Sequence, residues 1–209
     1  MTNKNEDRVL TETVSRTTGR EAQQNNILAA RLIANIVKTT LGPKGMDKML
    51  VDSSGNIIVT NDGVTILEEI EVDHPAAKVI VDIAKTQERE VGDGTTTVAI
   101  LAGMLLEQAQ KLLERRIHPT VIIKGYESAS HQSRAILDSL TIPVNSTDIL
   151  RKIAMTAMTG KSAEGHRKHF AELIIKAIDK ISAGNYFDSR DVRLQKILGG
   201  RTEDSSLVD

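Results

Sequence analysis

Cysteine and tryptophan are both missing from this chain. Without thiols it has no disulfides and no thiolate metal site, and nothing in its composition argues for secretion, so an intracellular, cytoplasmic setting is the expectation. Aromatic residues are reduced to Tyr126, Phe170, Tyr186 and Phe187, which leaves no platform for stacking bases and no belt for a membrane interface. Neither sign of charge dominates. With 27 Lys plus Arg against 28 Asp plus Glu, net charge favours neither nucleic acid nor an anionic lipid surface. No apolar run approaches the roughly 18 residues that a bilayer span needs, and the first 18 residues lack the apolar core of a signal peptide. Nucleic acid and membrane are therefore not expected partners.

What is present is enough apolar material, 40% of 209 residues, to fill one large core or two smaller ones. Residues 1–18 read as a loose, charged arm with a strand-like patch at Val9 and Leu10. Apolar side chains then recur at helical spacing from about Gly19 to Thr40, through Ile27, Leu28, Leu32, Ile33, Ile36 and Val37. Gly42-Pro43 stops that run. Met49-Leu50-Val51 and Ile57-Ile58-Val59 flank the turn-forming Asp52-Ser53-Ser54-Gly55-Asn56, a hairpin signature. Asn61-Asp62-Gly63 ends the hairpin and starts a short helix. Pro75 and Pro119 suit the first turns of two further helices, to about Glu90 and Leu140, and between them a helix spans Val98 to about Arg115.

The extended Thr141-Ile142-Pro143-Val144-Asn145 connects this helical body to a second one. There, helices are expected over Asp148–Met158 and Ala163–Ser182, followed by a strand in which Val192 and Leu194 alternate with Arg193 and Gln195. His166 and His169 have metal-ligand spacing but no suitably placed third ligand, and read as a solvated helix face.

The stretch Gly92-Asp93-Gly94-Thr95-Thr96-Thr97 lies between two of these helices. Taken alone, Asp-Gly-Thr is an ordinary helix N-cap. The uninterrupted run suits a phosphate better: the glycines free the backbone, a helix start offers unpaired amides and a positive dipole end, and Asp93 is a hard oxygen ligand for Mg2+ riding on phosphates. It matches neither common nucleotide fingerprint. Thr97 occupies the third glycine position of a G-x-G-x-x-G, and Met155 stands where the leading glycine of a Walker A ending in Gly160-Lys161-Ser162 belongs.

Three loops in this order, Leu41-Gly42-Pro43-Lys44-Gly45, Asn61-Asp62-Gly63 and Gly92-Asp93-Gly94-Thr95-Thr96-Thr97, closely resemble those of the group II chaperonins, the archaeal thermosome subunits and their eukaryotic cytosolic relatives. The likeness runs continuously from Gly19-Arg20-Glu21-Ala22-Gln23, through His74-Pro75-Ala76-Ala77-Lys78, Lys85-Thr86-Gln87 and His118-Pro119, to Ala157-Met158-Thr159-Gly160-Lys161. The resemblance implies a mainly α fold, a multi-helical equatorial-type domain with a small hairpin, joined to a partial α/β intermediate-type domain. By family pattern, 19–142 is the N-terminal half of the equatorial ATP-binding domain. Residues 143–209 correspond to the ascending half of the intermediate domain, with the apical domain and the C-terminal half absent.

It also implies site residues. Leu41, Gly42, Pro43, Gly63 and Gly92 line the nucleotide, Asp93 is the Mg2+ ligand, and Gly94, Thr95, Thr96 and Thr97 hold phosphate oxygens. Asp62 resembles the catalytic carboxylate that orients the attacking water, and Lys161 the residue that senses the γ-phosphate. The implied cofactors are ATP and Mg2+. The implied partners are other chaperonin subunits, in the same and the opposite ring, and unfolded client proteins gripped by the missing apical domain. Phosphoryl transfer needs positioning and charge neutralisation more than covalent help, and these groups supply both. The expected activity is ATP-driven protein folding, with an incomplete site in this chain alone. Two other readings stand beside it: a naturally short, non-hydrolysing structural or regulatory partner, and an unrelated phosphotransferase, for which no substrate-pocket residues are evident.

Overall fold

The computed structural model describes residues 16–184 and 186–208. The expected arm, with its patch at Val9 and Leu10, lies through residue 15 outside the described residues. Among those described are seven α-helices and one hairpin, in the order α1 (Gly19–Lys38), β1 (Lys48–Val51), β2 (Ile57–Thr60), α2 (Gly63–Glu69), α3 (Pro75–Val91), α4 (Thr95–Glu114), α5 (Pro119–Leu140), α6 (Thr147–Ala157) and α7 (Arg167–Ile181). The mainly α class is as expected. The chain divides into two compact units, Met1–Thr39 with Asp62–Ile122 and Thr40–Asn61 with Ile123–Asp209.

The first unit packs α1, α2, α3 and α4 together. Its largest fully buried side chains are Val37, Ile66 and Leu67. Along α1 the buried face is Ile27, Ala30, Ile33, Ala34 and Val37, whereas Leu28 and Leu32 remain more than half exposed. The alanines decide this. A Cβ added at Gly103 of α4 would overlap Cβ of Ala34, so α1 and α4 approach closely along a seam of small residues. Close approach of backbones requires small side chains at the crossing, and the leucines are turned to the flank. Half-buried Arg31 ties the same pair of helices through Gln110 Oε1 at 3.2 Å. α3 starts at Pro75 with Nδ1 of His74 accepting from Ala76 N–H at 3.2 Å, and ends in left-handed Gly92 at φ 75°. Both ends follow the preference for proline inside the start and glycine past the end.

In the second unit, β1 and β2 pair antiparallel with Met49 opposite Val59 and Val51 opposite Ile57. Asp52 fixes the turn by accepting from Ser54 N–H and Asn56 N–H, each at 2.8 Å, and from Asn56 Nδ2 at 2.6 Å. These bonds, the Asn56 side chain foremost, hold the Asp52 carboxyl below its ordinary pKa. α6 packs on α7, with Ala171, Ile175 and Ala177 buried and Arg151 Nε 2.6 Å from Glu172 Oε1.

Three local expectations are corrected. The α4 helix begins at Thr95 rather than Val98, because left-handed Gly94 at φ 80° turns the chain into it directly before the threonines, which form its first turn. The α7 helix begins at Arg167 rather than Ala163. The Glu164 carboxylate is drawn back to Gly160 N–H at 2.9 Å, and Glu164–His166 forms a tighter 3-10 turn first. The strand expected around Val192 and Leu194 does not form among the described residues. Asp188 accepts from Arg190 N–H at 2.9 Å and grips the Arg190 guanidinium, winding Ser189–Asp191 into a 3-10 turn. That guanidinium pulls the Asp188 pKa down to about 2.

Candidate functional site

In the first unit two of the predicted loops meet. Asp62 is the N-cap of α2: its Oδ2 accepts from Thr65 N–H at 3.1 Å and from Thr65 Oγ1 at 2.9 Å. Gly63, the first residue of α2, is buried against the start of α4. A Cβ there would overlap Thr96 Oγ1 and lie 3.1 Å from Thr96 Cα and Thr96 N. Only glycine allows the two helix starts to come this close, so the Asp62–Gly63 turn and the Thr95–Thr97 turn form one patch.

The α3–α4 turn supplies the rest of that patch. Gly92 N–H donates to Glu88 O at 2.8 Å, and Gln87 Nε2 donates to Asp93 O at 2.8 Å, so the loop is tied to the last turn of α3. The Asp93 side chain is exposed, with Oδ1 accepting from its neighbour Gly94 N–H at 2.8 Å. It does not cap α4. The N-cap is Gly94, which brings no side-chain acceptor, so the amides of Thr95, Thr96 and Thr97 open a helix without a side-chain cap. Thr95 is buried, Thr96 half-buried and Thr97 exposed. An uncapped start of a 20-residue helix carries a positive dipole end and suits an anion.

Among the described residues no three acidic or histidine side chains converge on a metal position. One exposed carboxylate beside uncapped amides fits an Mg2+ that arrives with phosphates, because that ion keeps several waters and takes one or two protein carboxylates.

The remaining predicted residues fall in the second unit. Gly42, at φ 89°, opens a turn closed by Gly45 N–H to Gly42 O at 2.9 Å. Gly160, at φ 76°, packs on this turn: a Cβ on it would lie 3.1 Å from Pro43 Cα and 3.2 Å from Gly42 O. Lys161 follows, exposed, and its ammonium makes no ion pair among the described residues. Leu41 is about half exposed at the edge of the turn. The structure therefore brings together Asp62, Gly63 and Thr96 within one unit, and Gly42, Pro43 and Gly160 within the other.

A model of the TCP-1/cpn60 chaperonin family matches residues 33–209. The chain is 53% identical over 200 residues to the thermosome subunit beta of Methanothermobacter thermautotrophicus, covering 96% of this chain and 37% of that protein. The chain belongs to the TCP-1/cpn60 chaperonin family. The thermosome subunit alpha of the same organism is 49% identical, covering 96% and 37% respectively, and that of Halobacterium salinarum is 49% identical, covering 96% and 36%. The relatives are thermosome subunits, the branch its motifs resemble, and the chain spans little more than a third of their length.

Residues that sequence reasoning left without a role hold the predicted loops, each within its own unit. Thr65 receives the Asp62 cap, Gln87 holds the Asp93 carbonyl, and Asn61 and Glu164 hold Gly160. Only Thr65 had a legible signal, as the third residue after a capping aspartate. His166 and His169, read as solvated, are part-buried instead. His166 Nδ1 lies 3.2 Å from Glu203 Oε1, and His169 Nε2 lies 3.0 Å from Ser205 O, so both rings clasp the chain beyond Gly200. Their partners are more than 30 residues away in sequence, beyond the reach of any spacing rule.

Proposed function

We propose that this chaperonin chain belongs to an ATP-driven, cytoplasmic protein-folding machine, and that it takes the phosphates of ATP-Mg2+ at the start of α4. The observation that carries the reading is the patch made by Gly63 against Thr96, with an exposed Asp93 beside helix amides that no side chain caps. In it Gly94, Thr95, Thr96 and Thr97 hold phosphate oxygens, Gly92 shapes the loop, and Asp93 receives the metal. Bound Mg2+ supplies charge neutralisation on the phosphates. Asp62 orients the attacking water by accepting a hydrogen bond from its O–H, the task of a positioned carboxylate in phosphoryl transfer. Leu41, Gly42 and Pro43 are assigned to the nucleotide, and Lys161 to the γ-phosphate, from the family resemblance. Ring neighbours, an opposing ring and unfolded clients are the proposed partners of the whole subunit.

Titration calorimetry of the chain with ATP-Mg2+ tests the site. Weak but saturable binding is expected, and Asp93→Ala should reduce it by about tenfold, the loss of one charge-assisted metal contact worth roughly 1.5 kcal/mol. A wild-type chain that takes up no nucleotide at millimolar ATP-Mg2+ would sink the proposal.

A second reading has one specific observation in its favour. Both bonds that Asp62 Oδ2 makes to Thr65 are those of a plain helix cap, which is what a non-hydrolysing structural partner would retain.

A further inference from the structure

Within the first unit, Gln87 grips the turn after α3 at two points. Its backbone O accepts from Gly92 N–H at 3.3 Å, and its side-chain Nε2 donates to Asp93 O at 2.8 Å. The second bond can run only in that direction, because a carbonyl oxygen has no proton to give and the amide nitrogen must face it. Asp93 O belongs to the planar peptide that also carries Gly94 N–H, so a bond that fixes the carbonyl fixes the direction of that N–H as well. Gly94 N–H in turn donates to Asp93 Oδ1 at 2.8 Å. The half-buried Gln87 thereby reaches the exposed Asp93 carboxylate through one rigid plane. Oδ1 is engaged, whereas Oδ2 makes no hydrogen bond among the described residues and is left for a cation.

We propose that Gln87 is a positioning residue for Mg2+ binding: by holding the Asp93–Gly94 peptide, its side-chain amide keeps the Asp93 carboxylate in one orientation for the metal that accompanies the phosphates. The inference rests on the nucleotide reading given above. A carboxylate ordered before the cation arrives spares part of the ordering cost of binding. A merely structural tie would behave differently: losing it would lower thermal stability and weaken metal-bound and metal-free nucleotide alike.

The test separates the metal from the nucleotide. Calorimetry measures the affinity of the chain for ATP with excess Mg2+ and for ATP with a chelator in its place, and the ratio of the two reads what the metal adds. In the wild type, ATP-Mg2+ should bind the more tightly. Gln87→Met, similar in length and a good helix former but without a donor, should cut the ratio and leave the metal-free affinity unchanged. The cut should be roughly 2- to 10-fold, the worth of one hydrogen bond. In an Asp93→Ala background, where the carboxylate is gone, Gln87→Met should change nothing further. If Gln87→Met fails to fold, Gln87→Ala decides by the same measurements. An undiminished ratio in the deciding variant, an equal fall in both affinities, or a loss that persists in the Asp93→Ala background overturns the positioning role and leaves nucleotide binding standing. Absence of calorimetric ATP binding by the wild type overturns both.

Discussion

At the scale of single residues, Asp62 carries two demands that its chemistry can separate. Its Oδ2 caps α2 through Thr65 N–H and Thr65 Oγ1, and the same carboxylate is proposed to orient water. Asparagine caps helices about as well as aspartate, whereas alanine costs about 1 kcal/mol. Asp62→Asn should therefore leave the melting temperature nearly unchanged and Asp62→Ala should lower it. In a complete subunit carrying the same substitutions, a catalytic charge makes phosphate release fall by two or more orders of magnitude in both variants, with ATP affinity changed far less. Hydrolysis that survives in Asp62→Asn and drops only in Asp62→Ala would show a cap and nothing more. The identity of Asp62 as a cap was legible from Asn61-Asp62-Gly63 and Thr65. The bond from Asn61 to Gly160 was not, since 99 residues separate the partners and neither belongs to a periodic pattern.

Between elements, glycine sets the distances that matter. Gly63 lets the start of α2 lie on the start of α4, and Gly103 lets α4 lie on Ala34 of α1. Adding a methyl group at either place forces a shift that costs about 1–3 kcal/mol. The consequences should part. Gly63→Ala pushes on Thr96 and should weaken ATP-Mg2+ binding as well as stability, whereas Gly103→Ala, midway along α4, should lower stability and leave the nucleotide affinity of the folded fraction unchanged. Calorimetry and thermal melts on the two variants check this; equal loss of affinity in both would detach the site from the helix start.

The helices themselves were readable because apolar periodicity, Pro75, Pro119 and the flanking glycines agree with one another. The buried face of α1 was less so. Counting large apolar residues selects Leu28 and Leu32, but the seam is drawn by Ala30, Ala34 and Gly103, whose importance appears only when a second helix is laid against the first. The absent strand near Val192 has the same origin, since alternation is a weak signal and a local Asp188–Arg190 clasp outweighs it.

At the scale of the whole molecule, the second unit exposes much apolar surface. The hairpin shows one face made entirely of apolar side chains: Met49 pairs with Val59 and Val51 with Ile57, each of the four between 58% and 68% exposed. A two-stranded hairpin with an apolar face is marginal in water without something packed on it. Beyond Ile122, α5 adds Ile123, Ile136, Leu137 and Leu140, all more than half exposed. Apolar surface on this scale marks interfaces. The chain in isolation is therefore expected to associate reversibly, its sedimentation coefficient rising with concentration.

Replacing Val51 and Ile57 together by lysine and glutamate, a cross-strand pair of opposite charge, should shift the distribution toward monomer. Because both positions are exposed, the melting temperature should move little, the substitutions costing within about 0.5 kcal/mol each. Association that persists in this variant but disappears with Leu137→Lys and Leu140→Glu would assign the contact to α5 instead. A wild-type chain that sediments as a single monomer across the concentration range would mean that these faces are covered in solution by a rearrangement of the chain itself.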